Sequence, residues 1–376
     1  MSVTSVPEKV RTRLWGKAAG RCQYEGCNKP LWIDELTKFE FNQSYVAHII
    51  ADKPGGPRGD TELSELLKAD ISNLMLMCDT HHRLIDKEDI AGHPPELLRE
   101  MKRKHEDRIE LLTDFKEEKQ SHVLLYGANI GEHSAYASLA KAAHAMLPER
   151  FPAEKPAFEL SLNNSLFQDH EEEFWGMERE NLRRQFIQRV QPRLAQGDIS
   201  HLSIFALAPQ ALLIELGRLL SDIPAADVYQ LHREPSNWRW QDSPEDFEYI
   251  IKQPSAVQSG AVAVNLSLSA TINDSRITSV LGDDTSIWTV TIREPNNDFM
   301  KSREQLSQFR KVFRRLLDEI KAQRGRDAVL HVFPAAPVSV AVEMGRVWMP
   351  KADLPMRIYD ENRDKGGFKE ALDIPG

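Results

Sequence analysis

Three cysteines, all in the first quarter of the chain, stand at spacings that suit a metal ion. Cys22 and Cys27 bracket four residues, and Cys78 and His81 bracket two. Thiolate and imidazole donors in two short pairs are what tetrahedral zinc takes. Cys22, Cys27, Cys78 and His81 are therefore expected to hold one structural Zn²⁺. Such an ion would tie the Cys22–Cys27 knuckle to a helix starting near Asp79 or Thr80, a staple for a core with little apolar interior. His82 comes next, and Asp86 lies four residues further, on the same side of that helix. His48 sits in a strand-like apolar run, YVAHII, and Asn73 opens a second one, NLMLMC.

The elements that must carry these residues follow from pattern. Glu96–Asp114 reads as a helix with Leu97, Met101, His105, Ile109 and Leu112 near one face. A charged stretch, Lys116–Ser121, reads as a linker, and HVLLY at 122–126 as a short strand. Beyond about residue 155 the pattern is α/β. Val262, Val264, Leu266, Leu268 and Ala270 alternate as in a strand, as do Trp288, Val290 and Ile292. Gln305–Gln323 puts Leu306, Phe309, Phe313, Leu316, Leu317 and Ile320 on one helical face.

An internal repeat is also expected. Ser203–Leu220 (SIFALAPQALLIELGRLL) and Leu330–Met349 (LHVFPAAPVSVAVEMGRVWM) both run strand, Ala-Pro turn, helix. Ala208, Pro209, Glu215, Gly217 and Arg218 match Ala336, Pro337, Glu343, Gly345 and Arg346. In open α/β sheets, ligands bind at the turns after the carboxyl ends of strands. Two related turns would suit a ligand with near-twofold symmetry.

Composition bounds the rest. The 376 residues are enough for two or three domains, and 41% hydrophobic with 28% charged content fits globular domains. No apolar run approaches the roughly 20 residues that cross a bilayer, so no membrane association is expected. The N-terminal stretch has no apolar centre between its charges and does not read as a signal peptide. A low, odd cysteine count argues for a reducing compartment. The net charge of −9 is unusual for a nucleic-acid binder, so contact with DNA would rest on assembly or a small footprint. No Walker motif or dinucleotide-binding glycine fingerprint is present.

The ordered set Cys22, Cys27, His48, Asn73, Cys78, His81, His82 resembles the HNH endonuclease pattern over roughly residues 10–110. The resemblance implies a ββα-metal fold and metal-dependent hydrolysis of double-stranded DNA. It assigns His48 as general base, Asn73 as the residue that holds the loop or base, and His82 as ligand of a catalytic Mg²⁺; Asp86, one helical turn beyond His82, is the candidate second ligand. Many members carry Asp before the first His, where this chain has Ala47. Arg58, in the Gly-Pro-Arg-Gly loop, is read either as a phosphate contact or as a solvated charge.

The second half looks like a SAVED domain, through His201–Gln210, Asp227–Pro235 with Trp238 and Trp240, and Phe333–Pro350. That family senses cyclic oligonucleotides with two fused CARF-like, Rossmann-type halves. HNH followed by SAVED is similar to a CBASS anti-phage effector of the bacterial cytoplasm. The implied activator is a cyclic dinucleotide such as a cGAMP isomer, and the implied active form a homo-oligomer. Candidate contacts are Pro209, Gln210, His232, Arg233, Trp238, Trp240, Ala336 and Pro337. Aromatic faces would stack bases, and arginine with helix-start N–H groups would meet phosphates.

The expected organisation is α/β overall. Residues 1–118 form the zinc-stapled nuclease domain, 119–154 a linker or entry segment, and 155–376 the sensor. Two other readings stay open. One is a non-catalytic zinc-stapled DNA-binding module with a metabolite-sensing half, which Ala47 favours. The other is a constitutive restriction-type HNH nuclease.

Overall fold

Tyr45–His48 (β1) and Leu74–Met77 (β2) pair antiparallel, with Tyr45 opposite Met77 and His48 opposite Leu74. The pairing follows from β2, an unbroken apolar run buried at every position. The computed structural model describes residues 6–114, 117–130, 137–162, 167–254, 259–362 and 366–376. It divides into two units, Met1–Lys116 and Glu117–Gly376.

In the first unit the hairpin is flanked by α1 (Glu8–Lys17), α2 (Leu63–Leu67), α3 (Asp79–Arg83) and α4 (Pro95–Thr113). A π-helical turn, Leu84–Glu88, continues α3. The core is small: Leu14, Leu31, Ile49, all of β2, Ile85, Leu98 and Met101, with Cys22 and Cys78 at its edge. Gln23 extends the hairpin as a mimic of a third strand. Its N–H donates to Leu76 O at 2.9 Å, and its Oε1 accepts from Leu76 N at 2.7 Å. α4 buries Met101 and His105 of the expected stripe, with Leu98 and Lys102 beside them, while Leu97 and Ile109 are half-buried. Leu112 is exposed because the last turn runs past the end of the core.

The second unit starts earlier than its sequence suggests. Gln120–Gly127 (β3) is buried at nearly every position and pairs in parallel with Phe151–Pro152 (β4), Phe158–Glu159 (β5) and Leu202–Leu207 (β6). The segment expected as a linker at 119–154 is thus a sheet strand followed by helix α5 (Leu139–Met146). A strand paired on both edges cannot serve as a tether. Lys116, where the linker was expected to begin, lies outside the described residues. Helices α6 (Glu172–Arg189) and α7 (Gln191–Gln196) precede β6, and α8 (Gln210–Leu220) and β7 (Ala226–Val228) complete this half, with β7 parallel to β6.

The other sheet has the order β13-β12-β11-β9-β10-β8. Its strands are β8 (Ile250–Lys252), β9 (Val262–Ser267), β10 (Ser286–Thr291), β11 (Leu330–Ala335), β12 (Met356–Glu361) and β13 (Phe368–Ile374). The four central strands are parallel, and the edge strands β8 and β13 run antiparallel. Helices α9 (Asp274–Leu281), α10 (Arg303–Arg324) and α11 (Val338–Val347) connect them. β9 is buried at all six positions, as parallel strands covered by helices are.

The repeated segments are β6–α8 and β11–α11. Helices α8 and α11 lie side by side and run the same way. Gln210 reaches Ala336 at their starts, and Gly217 meets Gly345 seven residues on. A Cβ on Gly217 would lie 1.9 Å from Val342 O, and one on Gly345 would lie 1.9 Å from Ile214 O. The repeated glycines are the points where two backbones touch. Gly345→Ala should destabilise the second unit by about 3 kcal/mol, because neither backbone can yield in a packed core. Denaturant melts check this, and an unchanged midpoint would contradict the contact.

A buried polar cluster joins the starts of β3, β6 and β7. Ser121 Oγ lies 2.8 Å from both His201 Nδ1 and Ser203 Oγ, and Asp227 Oδ2 lies 3.7 Å from His201 Nε2. Burial pulls His201 down from 6.5 to about 4, against Asp227. The unfolded chain therefore binds a proton that the native state refuses. This contribution is whole above pH 6.5 and is lost as pH falls toward 4, on the order of 3 kcal/mol. His201→Gln should flatten the stability-versus-pH curve of the second unit between pH 4 and 6.5. An unaltered slope would assign the acid sensitivity elsewhere.

Candidate functional site

The Cys22–Cys27 knuckle, the end of β2 and the first turn of α3 bring four donor atoms together. Those of Cys22, Cys27, Cys78 and His81 all lie within 4.8 Å of one another. His81 Nδ1 is 3.2 Å from Cys78 Sγ and 3.8 Å from Cys22 Sγ. Tetrahedral zinc with bonds near 2.0–2.3 Å sets its ligand atoms roughly 3.4–3.8 Å apart, so the set fits that ion. Burial pushes the Cys22 and Cys27 thiols up and the His81 imidazole down. Tyr24 stacks flat on His81, with ring centroids 4.1 Å apart. Its hydroxyl lies 3.0 Å from His93 Nε2, while His93 Nδ1 lies 2.6 Å from Asp89 O. A carbonyl accepts, so His93 Nδ1 donates to Asp89 O, and Nε2 accepts a hydrogen bond from the Tyr24 hydroxyl. Sequence reading missed Tyr24 and His93, because nothing in their spacing marks a partner of a ligand.

The same logic fixes His48, at the end of β1. Its Nε2 lies 2.9 Å from Lys68 O, so Nε2 donates and Nδ1 keeps the free lone pair of the neutral ring. Asn73 clamps the chain just beyond. Its O and Oδ1 accept from Ile49 N at 2.9 Å and Ile50 N at 2.8 Å, and its Nδ2 donates to Ile50 O at 2.8 Å. His82, on α3, stacks on Tyr45 at 4.8 Å, and its Nε2 lies 3.3 Å from Asp86 Oδ2. Burial lowers the His82 pKa against the pull of Asp86 and Asp79, which favours the neutral, ligating ring. Two cis ligands with bonds near 2.1 Å stand about 3 Å apart, so His82 Nε2 and Asp86 Oδ2 fit one divalent ion. Arg58 is neither a phosphate contact nor a solvated charge: its side chain is 4% exposed and pairs with Asp86 Oδ1 at 2.6 Å. The Gly-rich loop around it gave no sign of this.

In the second unit the two Ala-Pro turns meet. Pro209 and Pro337 are the N-caps of α8 and α11. Gln210 Oε1 accepts from Ala336 N at 3.1 Å, so it bridges the turns. Gln230, unmarked in the sequence, accepts from Ser339 N and Oγ at 3.2 and 2.7 Å and ties the loop after β7 to the start of α11. Trp238 and Trp240 do not lie on a strand. Trp238 is 4% exposed and packs edge-on to Phe205 in the core, so it has no face for a ligand. His232 is 1% exposed, enclosed by the loop whose Asn237 O accepts from His232 N. Trp240 is half-buried against Tyr229 and His232, and Arg233 is exposed.

Two parallel α/β halves, joined through paired helices with their Ala-Pro turns adjacent, define a duplicated α/β domain. The model of the SMODS-associated and fused to various effectors sensor domain, SAVED, matches residues 182–374, half of the chain. The chain belongs to this family. Both repeated segments fall inside the match. Among curated proteins, none matches the chain. Among solved structures, the chain is similar to the Acinetobacter baumannii Cap4 SAVED/CARF-domain containing receptor with the cyclic trinucleotide 2'3'3'-cAAA. Identity is 13% and the TM-score 0.44, over 79% of this chain and 60% of that one. The same receptor with 3'3'3'-cAAA gives 12% and 0.43, over 84% and 60%. The Moraxella osloensis Cap4 receptor gives 12% and 0.36, over 53% and 42%. The chain thus spans about 60% of the length of the first of these receptors. No helix among the described residues is long and apolar enough to cross a membrane.

The cluster of four donors generates a prediction. Cys78→Ser should unfold the first unit, because a structural zinc contributes directly to folding. The melting transition of the second unit should stay in place. Elemental analysis of the wild type should give about one zinc per chain. A fully folded, zinc-free first unit would refute the assignment.

Proposed function

We propose that this protein is a DNA endonuclease of the HNH type, switched on by a cyclic oligonucleotide that binds its SAVED domain. The observation that carries the nuclease reading is the hairpin and helix of the first unit. They present His48 with Nε2 held by Lys68 O and Nδ1 left over, His82 beside Asp86, and the Cys3His cluster next to them. His48 takes a proton from water, and the resulting hydroxide attacks the phosphorus of a DNA phosphodiester; the opposite bridging P–O bond breaks, and its oxygen leaves as a sugar hydroxyl after taking a proton from solvent. A divalent ion, Mg²⁺, held by His82 and Asp86, would supply the countercharge at the phosphate. Asn73 keeps the chain after His48 in place, so the base does not drift from the water it activates.

Membership of a sensor family supports the control half of this reading, as do the adjoining turns at Ala208-Pro209 and Ala336-Pro337. A cyclic di- or trinucleotide seated there would contact both halves at once. Oligomerisation through the sensor is the proposed route to activity. An acidic chain is weakly steered to DNA, and several nuclease units together bind it multivalently. In bacteria such an enzyme would act in anti-phage defence. Ala47, where the pattern often has an acid, favours a second reading: a zinc-stapled DNA-binding module without catalysis.

The test is plasmid cleavage in Mg²⁺ against a panel of cyclic di- and trinucleotides, paired with sedimentation. One ligand should raise the melting temperature, drive assembly and start cleavage. His48→Ala should then lose about 10²- to 10⁴-fold in rate, with zinc content and the ligand-induced thermal shift intact. Binding and assembly without cleavage by the wild type would favour the second reading. Equal cleavage by a ligand-free monomer would rule out the control mechanism.

A further inference from the structure

We propose that Arg58 is a positioning residue for the hydrolytic metal site. It holds one oxygen of Asp86 so that the other stays beside His82 Nε2. The inference rests on the reading of His82 and Asp86 as ligands of one divalent ion.

A guanidinium taken out of water is costly unless its donors are met. Four hydrogen bonds from three directions meet those of Arg58. Its Nε donates to Ile49 O at 2.8 Å, and one terminal nitrogen donates to Ile85 O. The other donates to His48 O at 3.2 Å and to Asp86 Oδ1 at 2.6 Å. The acceptors belong to the two segments that must stay in register: the exit of β1, with the base, and the helix that carries His82 and Asp86. One planar fork joins them. Arg58 adopts φ +58°, a left-handed conformation unusual outside glycine, and the four bonds hold it there.

The division of labour at Asp86 is specific. Oδ1 is taken by Arg58, and Oδ2 faces His82 Nε2 at 3.3 Å. A ligating carboxylate is usually fixed by a hydrogen bond to its second oxygen, and losing such a partner costs about 10- to 100-fold in metal affinity. Ala47 sharpens the need, since it leaves Asp86 as the carboxylate in contact with His82. Lysine cannot replace Arg58, because an ammonium lacks the planar fork that reaches all four acceptors.

The experiment is Mn²⁺ titration of the zinc-loaded full-length protein by calorimetry, with no substrate present. The set is wild type, Arg58→Lys, Arg58→Gln, Asp86→Asn, His82→Ala and the Arg58→Gln/Asp86→Asn double variant. Arg58→Gln and Arg58→Lys should each weaken Mn²⁺ about 10- to 100-fold, with zinc still at one per chain. The double variant should bind no more weakly than Asp86→Asn alone, because Arg58 acts through that carboxylate. Should Arg58→Gln lose its zinc, the charge-preserving Arg58→Lys carries the comparison. Unchanged or tighter Mn²⁺ binding in the Arg58 variants, or additive losses in the double variant, would overturn the role. Equal Mn²⁺ binding by wild type and His82→Ala would instead refute the ligand reading, and the role of Arg58 with it.

Discussion

The sensor unit depends on one contact, the meeting of α8 and α11 at Gly217 and Gly345. Each backbone fills the space where the other residue's side chain would be. That approach lets Gln210 of one half hydrogen-bond the backbone of Ala336 in the other. It also fixes the distance between the two Ala-Pro turns. The helices are bound at three levels: a bridge at their starts, a backbone contact in the middle, and Arg346 at their ends, donating to Ser221 O and Pro224 O. Both sheets inherit their placement from this pair, since β6 and β11 each lead directly into one of its helices.

The first unit solves the same problem of position with little apolar volume. Its core is a two-stranded hairpin and parts of a few helices, so polar groups carry much of the order. Gln23 completes the edge of β2, Asn73 closes the chain after His48, and Arg58 joins that segment to the helix of His82. The backbone carbonyls of Lys68 and Asp89 decide which nitrogen of His48 and His93 carries hydrogen. Tautomer is set here by main chain, which does not turn as a side chain does.

Much of this was legible in the sequence where residue types are scarce or repeated. Three cysteines in a chain of this size leave few pairings, and Cys78 with His81 at helical spacing completed the set. The matched Glu, Gly and Arg of the two Ala-Pro segments announced the duplication. What the glycines do was hidden, because spacing along a helix does not name the neighbour across it. Arg58 was hidden for the opposite reason: Gly-Pro-Arg-Gly describes a loop, and loops usually turn their charges to water. Trp238 and Trp240 were marked by residue type alone, which does not tell a stacking face from a core ring. They lie in a loop closed by the His232 N to Asn237 O bond, and one ring went inside. The strand at 122–126 was legible, but not its partner: β3 pairs with β6, some 80 residues on, which places the entry segment inside the second unit.

The duplication is not symmetric where its helices end. Arg346 is 2% exposed and spans to the other half, while its counterpart Arg218 pairs with Glu215 and makes no such crossing among the described residues. The halves have therefore diverged past interchange. A chain made by copying the second half twice would have no α8, so neither arginine would find the carbonyls that follow it. A chain made from the first half twice would leave those carbonyls bare. Each half has become the template for the other, and the ancestral repeat survives as shape, no longer as a part that could be exchanged.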